Sequence, residues 1–175
     1  MNKYGTPQNW SEADLAEMRR RFSYDPEDGI IRVAEYRGGK QIGEALGTVT
    51  TKGYLHVKFG TTFLRAHRLA WYLSYGEWPV QEIDHINGNS LDNRLCNLRL
   101  ATRIENRRNI GVTARNKLGV KGVSMHAGRY RAVIYIRIEG KKKKLDLGRF
   151  DDLELAGLAY ATAADRYFGE FARTH

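Results

Sequence analysis

The chain has 175 residues, with 29 Lys and Arg against 20 Asp and Glu, a formal charge of +9. That length buries a real core as one domain or two small ones, and that charge favours a polyanionic partner, nucleic acid ahead of an anionic membrane surface. Cys96 is the sole cysteine, which excludes a disulfide framework and a cysteine-based zinc knuckle.

The same cysteine usage fits a reducing, cytoplasmic setting. No apolar run approaches the roughly 18 residues of a membrane span, and the leading MNKYGTPQNW lacks a signal-peptide core. A soluble, intracellular protein with no membrane partner is expected.

In chain order, Ser11 is a helix cap with Asp14 three residues on as a weak capping box, and Leu15, Met18 and Phe22 follow at helical spacing. Asp25-Pro26-Glu27-Asp28-Gly29 is turn chemistry leading into a strand over 30–33. Arg37-Gly38-Gly39-Lys40 lacks the frame of a phosphate-binding loop and is expected to be a solvated turn. The stretch 54–59 alternates, with Leu55, Val57 and Phe59 on one face, and residues 63–66 can pair back onto it. His67 to Leu73 then forms a short helix closed by Gly76. His67 is either a helix-anchoring histidine or a group standing behind a metal site, and His56 carries no signal.

The segment from Ile83 to Asn109 concentrates acid, imidazole and amide side chains. A strand over 80–84 delivers Asp84 and His85 at its end, Asn87-Gly88 opens a turn, and residues 95–100 alternate with Leu98 and Leu100 on one face. Thr102 and Glu105 make a capping box, so a helix starts near Arg103 and carries Asn106 on its first turn. Adjacent strand residues point to opposite faces, so Asp84 and His85 do not both ligate one ion. Asp84 and the amide oxygen of Asn106 are hard oxygen donors, suited to a Mg²⁺-type site with water and phosphate completing the shell, and unsuited to zinc. His85 is left as general base on a water, and Asn97 braces the hairpin or the imidazole.

His67 to Asn109 resembles the HNH endonuclease family in its phage and homing-endonuclease branch, through HRLAW, Trp78-Pro79, IDHINGN, DNR, NLRLAT and the terminal EN. The resemblance implies a ββα-metal fold with His85 as general base, Asn97 as the central structural Asn and Asp84 as acidic ligand. Asn106 stands where the family name implies a second His, an exchange that also occurs in the homing branch. It implies an amide ligand in place of an imidazole, which shifts the expected metal from zinc toward Mg²⁺ or Mn²⁺. YDPEDG, the RGG turn and GYLHVKF resemble the lead-in common in phage members.

Beyond a basic linker, RYRAVIYIRI over 129–138 alternates strictly, with Tyr130, Ala132, Ile134, Ile136 and Ile138 on one face and Arg129, Arg131, Val133, Tyr135 and Arg137 on the other. Lys141 to Lys144 lead into a partner strand, with Lys142, Lys144 and Asp146 beside the arginine row. Asp151 caps a helix over 152–168, ended by Gly169. Its Ala156, Ala159, Tyr160 and Ala163 allow close approach to the apolar sheet face. The basic face suits a DNA major groove, with Arg to guanine edges and Lys to phosphates.

GVKGV, RYRAVI, LDLGRF, AYATAADRYFGE and FA resemble the plant ethylene-response-factor (Apetala-two) DNA-binding domain. The resemblance implies a three-stranded sheet backed by one helix. Its strand-borne contacts fall on Lys121, Ser124, His126, Arg129, Tyr135 and Lys144, with Asp146 where that family has Trp. Arg131, Arg137 and Lys142 join the expected DNA-contacting set.

The expectation is therefore an α+β chain. A lead-in over 1–66 precedes an HNH nuclease core over 67–110, a basic linker over 111–118 and an Apetala-two-like DNA-binding domain over 119–175. The function expected is a metal-dependent DNA endonuclease acting on double-stranded DNA, with no protein partner implied. The alternative is a non-catalytic, sequence-specific DNA-binding or regulatory protein on a degenerate HNH fold. An RNA-binding protein would need exposed stacking aromatics that this sheet mostly lacks.

Overall fold

A computed structural model describes residues 10–36 and 38–174. Arg37 of the RGGK turn and the first nine residues of the N-terminus lie outside the described residues. The chain divides into two compact units, Met1–Thr102 and Arg103–His175. The boundaries drawn from motifs, at 66, 110 and 118, follow a different criterion from this division by packing.

The first unit opens with α1, Glu12–Arg21, where Ser11 Oγ accepts from the Asp14 amide and Asp14 accepts from the Ser11 amide, a complete capping box. Phe22 does not continue the helix, as its spacing suggests, but begins β1, Phe22–Tyr24, which pairs antiparallel with β2, Ile31–Val33. Strands β3 (Thr48–Val49), β4 (Leu55–Phe59) and β5 (Thr62–Arg65) form an antiparallel sheet. Helix α2, Ala66–Tyr75, ends on Gly76 at φ 78°, the left-handed cap expected of a glycine there.

Arg68 then fixes the return of the chain. The residue is 7 % exposed, and its guanidinium donates to the Gln81 and Pro79 carbonyls around the Trp78-Pro79 turn. Strand β6, Glu82–His85, pairs antiparallel with β7, Leu98–Ala101. Strand β6 starts two residues later than its apolar pattern suggests, with Val80 left exposed. Leu100 is likewise exposed; Leu98 and Ala101 are the buried residues of β7. Met18, Phe22, Ile31, Val57, Leu64, Leu69, Tyr72, Ile83 and Leu98 share one core, so the lead-in and the helix–hairpin segment are packed as one body.

The second unit begins with α3, Arg103–Arg108, and continues with β8 (Val123–His126), β9 (Arg129–Ile138) and β10 (Lys141–Phe150), in the order β10-β9-β8 and antiparallel throughout. Ala132, Ile134 and Ile136 of β9 face α4, Leu153–Phe168, whose buried positions are Ala156, Tyr160, Ala163 and Ala164. Tyr160 lies so close to Gly122 that a Cβ there would meet the ring at 2.0 Å, and φ at Gly122 is +73°. Only glycine suits that contact. Asp152 rather than Asp151 caps α4, accepting from the Leu155 amide at 2.9 Å, because the Asp151 carboxylate is taken by Arg129.

Candidate active site

His85 closes β6, directly opposite Leu98, and Asp84 lies opposite Arg99. Both are buried, at 6 % and 4 % exposure. The Asp84 carboxylate accepts from Arg99 Nε and Nη2 at 2.9 and 2.8 Å. An ion pair this enclosed needs its geometry, since each partner has lost most of its water.

The imidazole of His85 is flanked by two rings. His67 meets it edge-on at 5.0 Å between centroids, and Tyr54 lies 6.3 Å from it and 5.6 Å from His67. The Arg65 guanidinium sits 4.9 Å over the Tyr54 ring. His67 thus stands directly behind His85 as well as on the first turn of α2. Burial pushes both imidazoles below their ordinary pKa. For His67 the effect is large and reinforced by His85 and Arg65, whereas for His85 the Asn93 hydrogen bond and the Asp84 and Asp92 charges partly oppose it. Neutral imidazoles at neutral pH follow.

Asn93 decides the tautomer of His85. Its Nδ2 donates to the Leu91 carbonyl at 3.3 Å, which turns Oδ1 toward His85 Nε2 at 3.2 Å. An amide oxygen only accepts, so Nε2 carries the proton and the basic lone pair is on Nδ1. Asn93 is 2 % exposed and is held by residues far from it in sequence. The Tyr24 hydroxyl donates to the Asn93 carbonyl at 2.8 Å, and the Leu95 amide donates to the Pro26 carbonyl at 3.0 Å. Gly29, at φ +74°, lies against the same loop, where a Cβ would stand 2.4 Å from the Arg94 amide nitrogen. Ser90 Oγ donates to the Gly53 carbonyl at 2.6 Å on the other side.

Asn97 braces the hairpin loop rather than the imidazole. Its Oδ1 accepts from the Asn87 amide at 2.9 Å and its Nδ2 donates to the Asp92 carbonyl at 2.8 Å. Asp84, His85 and Asn97 are brought together in the first unit. Asn106 lies on α3, which belongs to the second. Sequence reasoning missed Asn93, Arg99 and Tyr54. Asn93 stands in an Asn- and Asp-rich turn where such residues need no further explanation. Arg99 becomes visible only once the β6–β7 register is known.

Among the described residues no group of three His, Cys, Asp or Glu side chains is placed to hold a metal. The donor that could serve in the first unit is the Asp84 carboxylate, shared with Arg99. A carboxylate oxygen fits a small hard cation that keeps its water and leans on substrate phosphate.

In the second unit, the outer face of the sheet carries Ser124, His126, Arg129, Arg131, Tyr135, Arg137, Lys142 and Lys144. A cleft of about 720 Å³ runs over this unit, with Ile104 and Arg107 of α3 contributing to its lining. Lys142 Nζ sits 4.3 Å from the Tyr135 ring centroid, and Arg137 donates to the Gly140 carbonyl. Lys121 has a bracing position, its Nζ donating to the Arg108 and Arg173 carbonyls at 2.6 and 2.9 Å. Burial pushes its pKa down to about 8.

The family model for an HNH endonuclease matches residues 64–108, from β5 through α3. Protein 3.8 of Escherichia phage T7 is 36 % identical over 110 residues, covering 62 % of this chain and 88 % of the phage protein. No solved structure matches the chain. HNH nucleases in general depend on a divalent metal and act on DNA. By its likeness to the phage protein over most of that protein's length, and by the domain at residues 64–108, the chain belongs to the family of T7 Protein 3.8 and carries an HNH endonuclease domain.

Proposed function

We propose that the protein is a metal-dependent DNA endonuclease that hydrolyses phosphodiester bonds and is targeted by its C-terminal sheet. The observation that carries this reading is the state of His85. It is neutral, enclosed by Tyr54 and His67, and fixed by Asn93 with its basic nitrogen at Nδ1. In this role Nδ1 takes a proton from the attacking water, and the Nε2–H bond to Asn93 steadies the imidazolium that forms. Asp84 would be the acidic ligand of a divalent ion, Mg²⁺ or Mn²⁺, which when bound stabilises negative charge on the phosphate and the leaving oxygen, and Asn106 is the amide ligand that the family resemblance implies. Asn97 keeps the loop that carries Asn93 closed onto the hairpin.

The outer face of the C-terminal sheet is assigned to double-stranded DNA, with Ser124, His126, Arg129, Arg131, Tyr135, Arg137, Lys142 and Lys144 as its contacts. A tethered DNA-binding module raises the local concentration of the nuclease at its site. Lys121 serves this face indirectly, by joining α3 to the C-terminal segment.

One observation favours a second reading, a DNA-binding protein without catalysis: Arg99 already neutralises Asp84. A supercoiled-plasmid assay separates the two. Conversion to nicked or linear product with Mg²⁺ or Mn²⁺, abolished by EDTA, is the expected result. Stable DNA binding with no product under any divalent metal would establish the second reading. The ratio of nicked to linear product reports one-strand against two-strand cutting.

A further inference from the structure

Two arginines on the outer face of β9 are held by aspartates. Arg131 donates from Nε and Nη2 to Asp146 Oδ2 at 3.0 and 2.5 Å. Arg129 donates from Nε to Asp151 Oδ1 at 2.6 Å and from Nη2 to Asp151 Oδ2 at 2.9 Å. In both, the carboxylate takes the Nε edge of the guanidinium. The opposite edge, between Nη1 and Nη2, keeps its parallel N–H groups, the fork that fits O6 and N7 of guanine.

Asp146 is itself fixed by the backbone. Its Oδ1 accepts from the Gly148 amide at 3.2 Å, at the bulge where the β9–β10 register shifts. The two carboxylate oxygens are thus divided, one for the bulge and one for Arg131. Asp146 stands on a face that also carries Arg131, Arg137, Lys142 and Lys144. Exposed ion pairs of this kind add little to stability, and a carboxylate on a surface meant only for phosphate weakens binding by repulsion. A carboxylate is useful there if it orients an arginine whose job is to read a base. By contrast, Arg137 donates to a backbone carbonyl and Lys142 lies over the Tyr135 ring, and both are of the phosphate-contacting type.

We propose that Arg131, oriented by Asp146, reads a guanine in the major groove, with Arg129 and Asp151 forming a second such unit two residues along the strand. Asp146 is a positioning residue that does not touch DNA. The inference rests on the assignment of this sheet face to DNA.

The test uses the full chain carrying His85→Ala, so that DNA is bound without being cut, and selects sites from a randomised duplex library. This protein is expected to enrich guanine at a fixed position. Asp146→Asn offers one oxygen where two are needed, so discrimination for guanine at that position should fall about 10-fold or more. Affinity for random duplex should hold or rise, because a negative charge has left the face. Arg131→Lys should lose the same preference, and circular dichroism checks that both variants fold. Unchanged guanine preference in Asp146→Asn, or an equal loss of affinity for every sequence, overturns the proposal while leaving the face as the DNA site. No base preference in the parent protein overturns it as well. If Arg137→Ala with Lys142→Ala binds duplex as tightly as the parent, the assignment of the face itself falls.

Discussion

Asn93 and His67 do for His85 what its position on β6 does not. The backbone delivers the ring to the end of the hairpin, but the tautomer comes from Asn93, whose own orientation is set by the Leu91 carbonyl. Asn93→Ala removes the group that keeps the proton on Nε2, and cleavage should fall by about 10²-fold, within the range attributed to general-base catalysis. Binding of uncut duplex should stay the same. Single-turnover kinetics beside an affinity titration checks this, and a full cleavage rate in Asn93→Ala would show that Asn93 does not set the tautomer. His67 bears on stability. It is held neutral by burial and by the nearby His85, Arg65, Arg68 and His56, so its folded pKa lies below the unfolded value of about 6.5. Its contribution is complete above that pH and is lost as the pH falls toward the folded pKa, by about 1.4 kcal/mol per pH unit. Thermal melts between pH 7 and pH 5 should show a fall in stability that is flatter by one proton in His67→Gln. An equal slope in the two proteins would contradict it.

The loop between β6 and β7 is held by parts of the chain far from it in sequence. Tyr24 of β1, the β1–β2 turn and Gly53 all close on residues 90–95. Gly29→Ala should therefore act on the site from more than fifty residues away. The new Cβ meets the Arg94 backbone and φ is positive, so a loss of stability of about 1–3 kcal/mol is expected, together with lower cleavage through displacement of Asn93. Urea unfolding with a parallel cleavage assay checks both, and a variant with the stability and rate of the parent would show that the turn does not position the loop. These long-range clamps separate what is legible in the sequence from what is not. Helix α2 with Gly76, strand β9 and helix α4 are visible because periodicity and caps are local properties. Phe22 matches the helical spacing of α1 yet belongs to β1, since its side chain is needed in the core beside Phe59. Asp84, His85 and Asn97 are visible as chemistry. Asn93 is not, because its burial is made by Tyr24 and Gly29, and the Asp84–Arg99 pair is not, because it depends on strand register.

The two units divide the proposed work, with the general base and the acidic ligand assigned to the first and most of the target recognition to the second. That division gives each a separate signature. Changing Arg137, Lys142 and Lys144 together should weaken duplex binding and reduce the slope of log affinity against log salt by roughly one for each phosphate no longer neutralised. It should leave the rate of cleavage of saturated DNA nearly intact. A slope equal to that of the parent would mean the sheet face is not where the backbone is held. The change of His85 to Ala is the converse experiment and bears most directly on the proposed chemistry. Single-turnover cleavage of duplex DNA with Mg²⁺, measured beside affinity for the same duplex, should show a rate lower by about 10²- to 10⁴-fold with affinity essentially unchanged. A His85→Ala protein that cuts at the parent rate would contradict the assignment of His85 as the base.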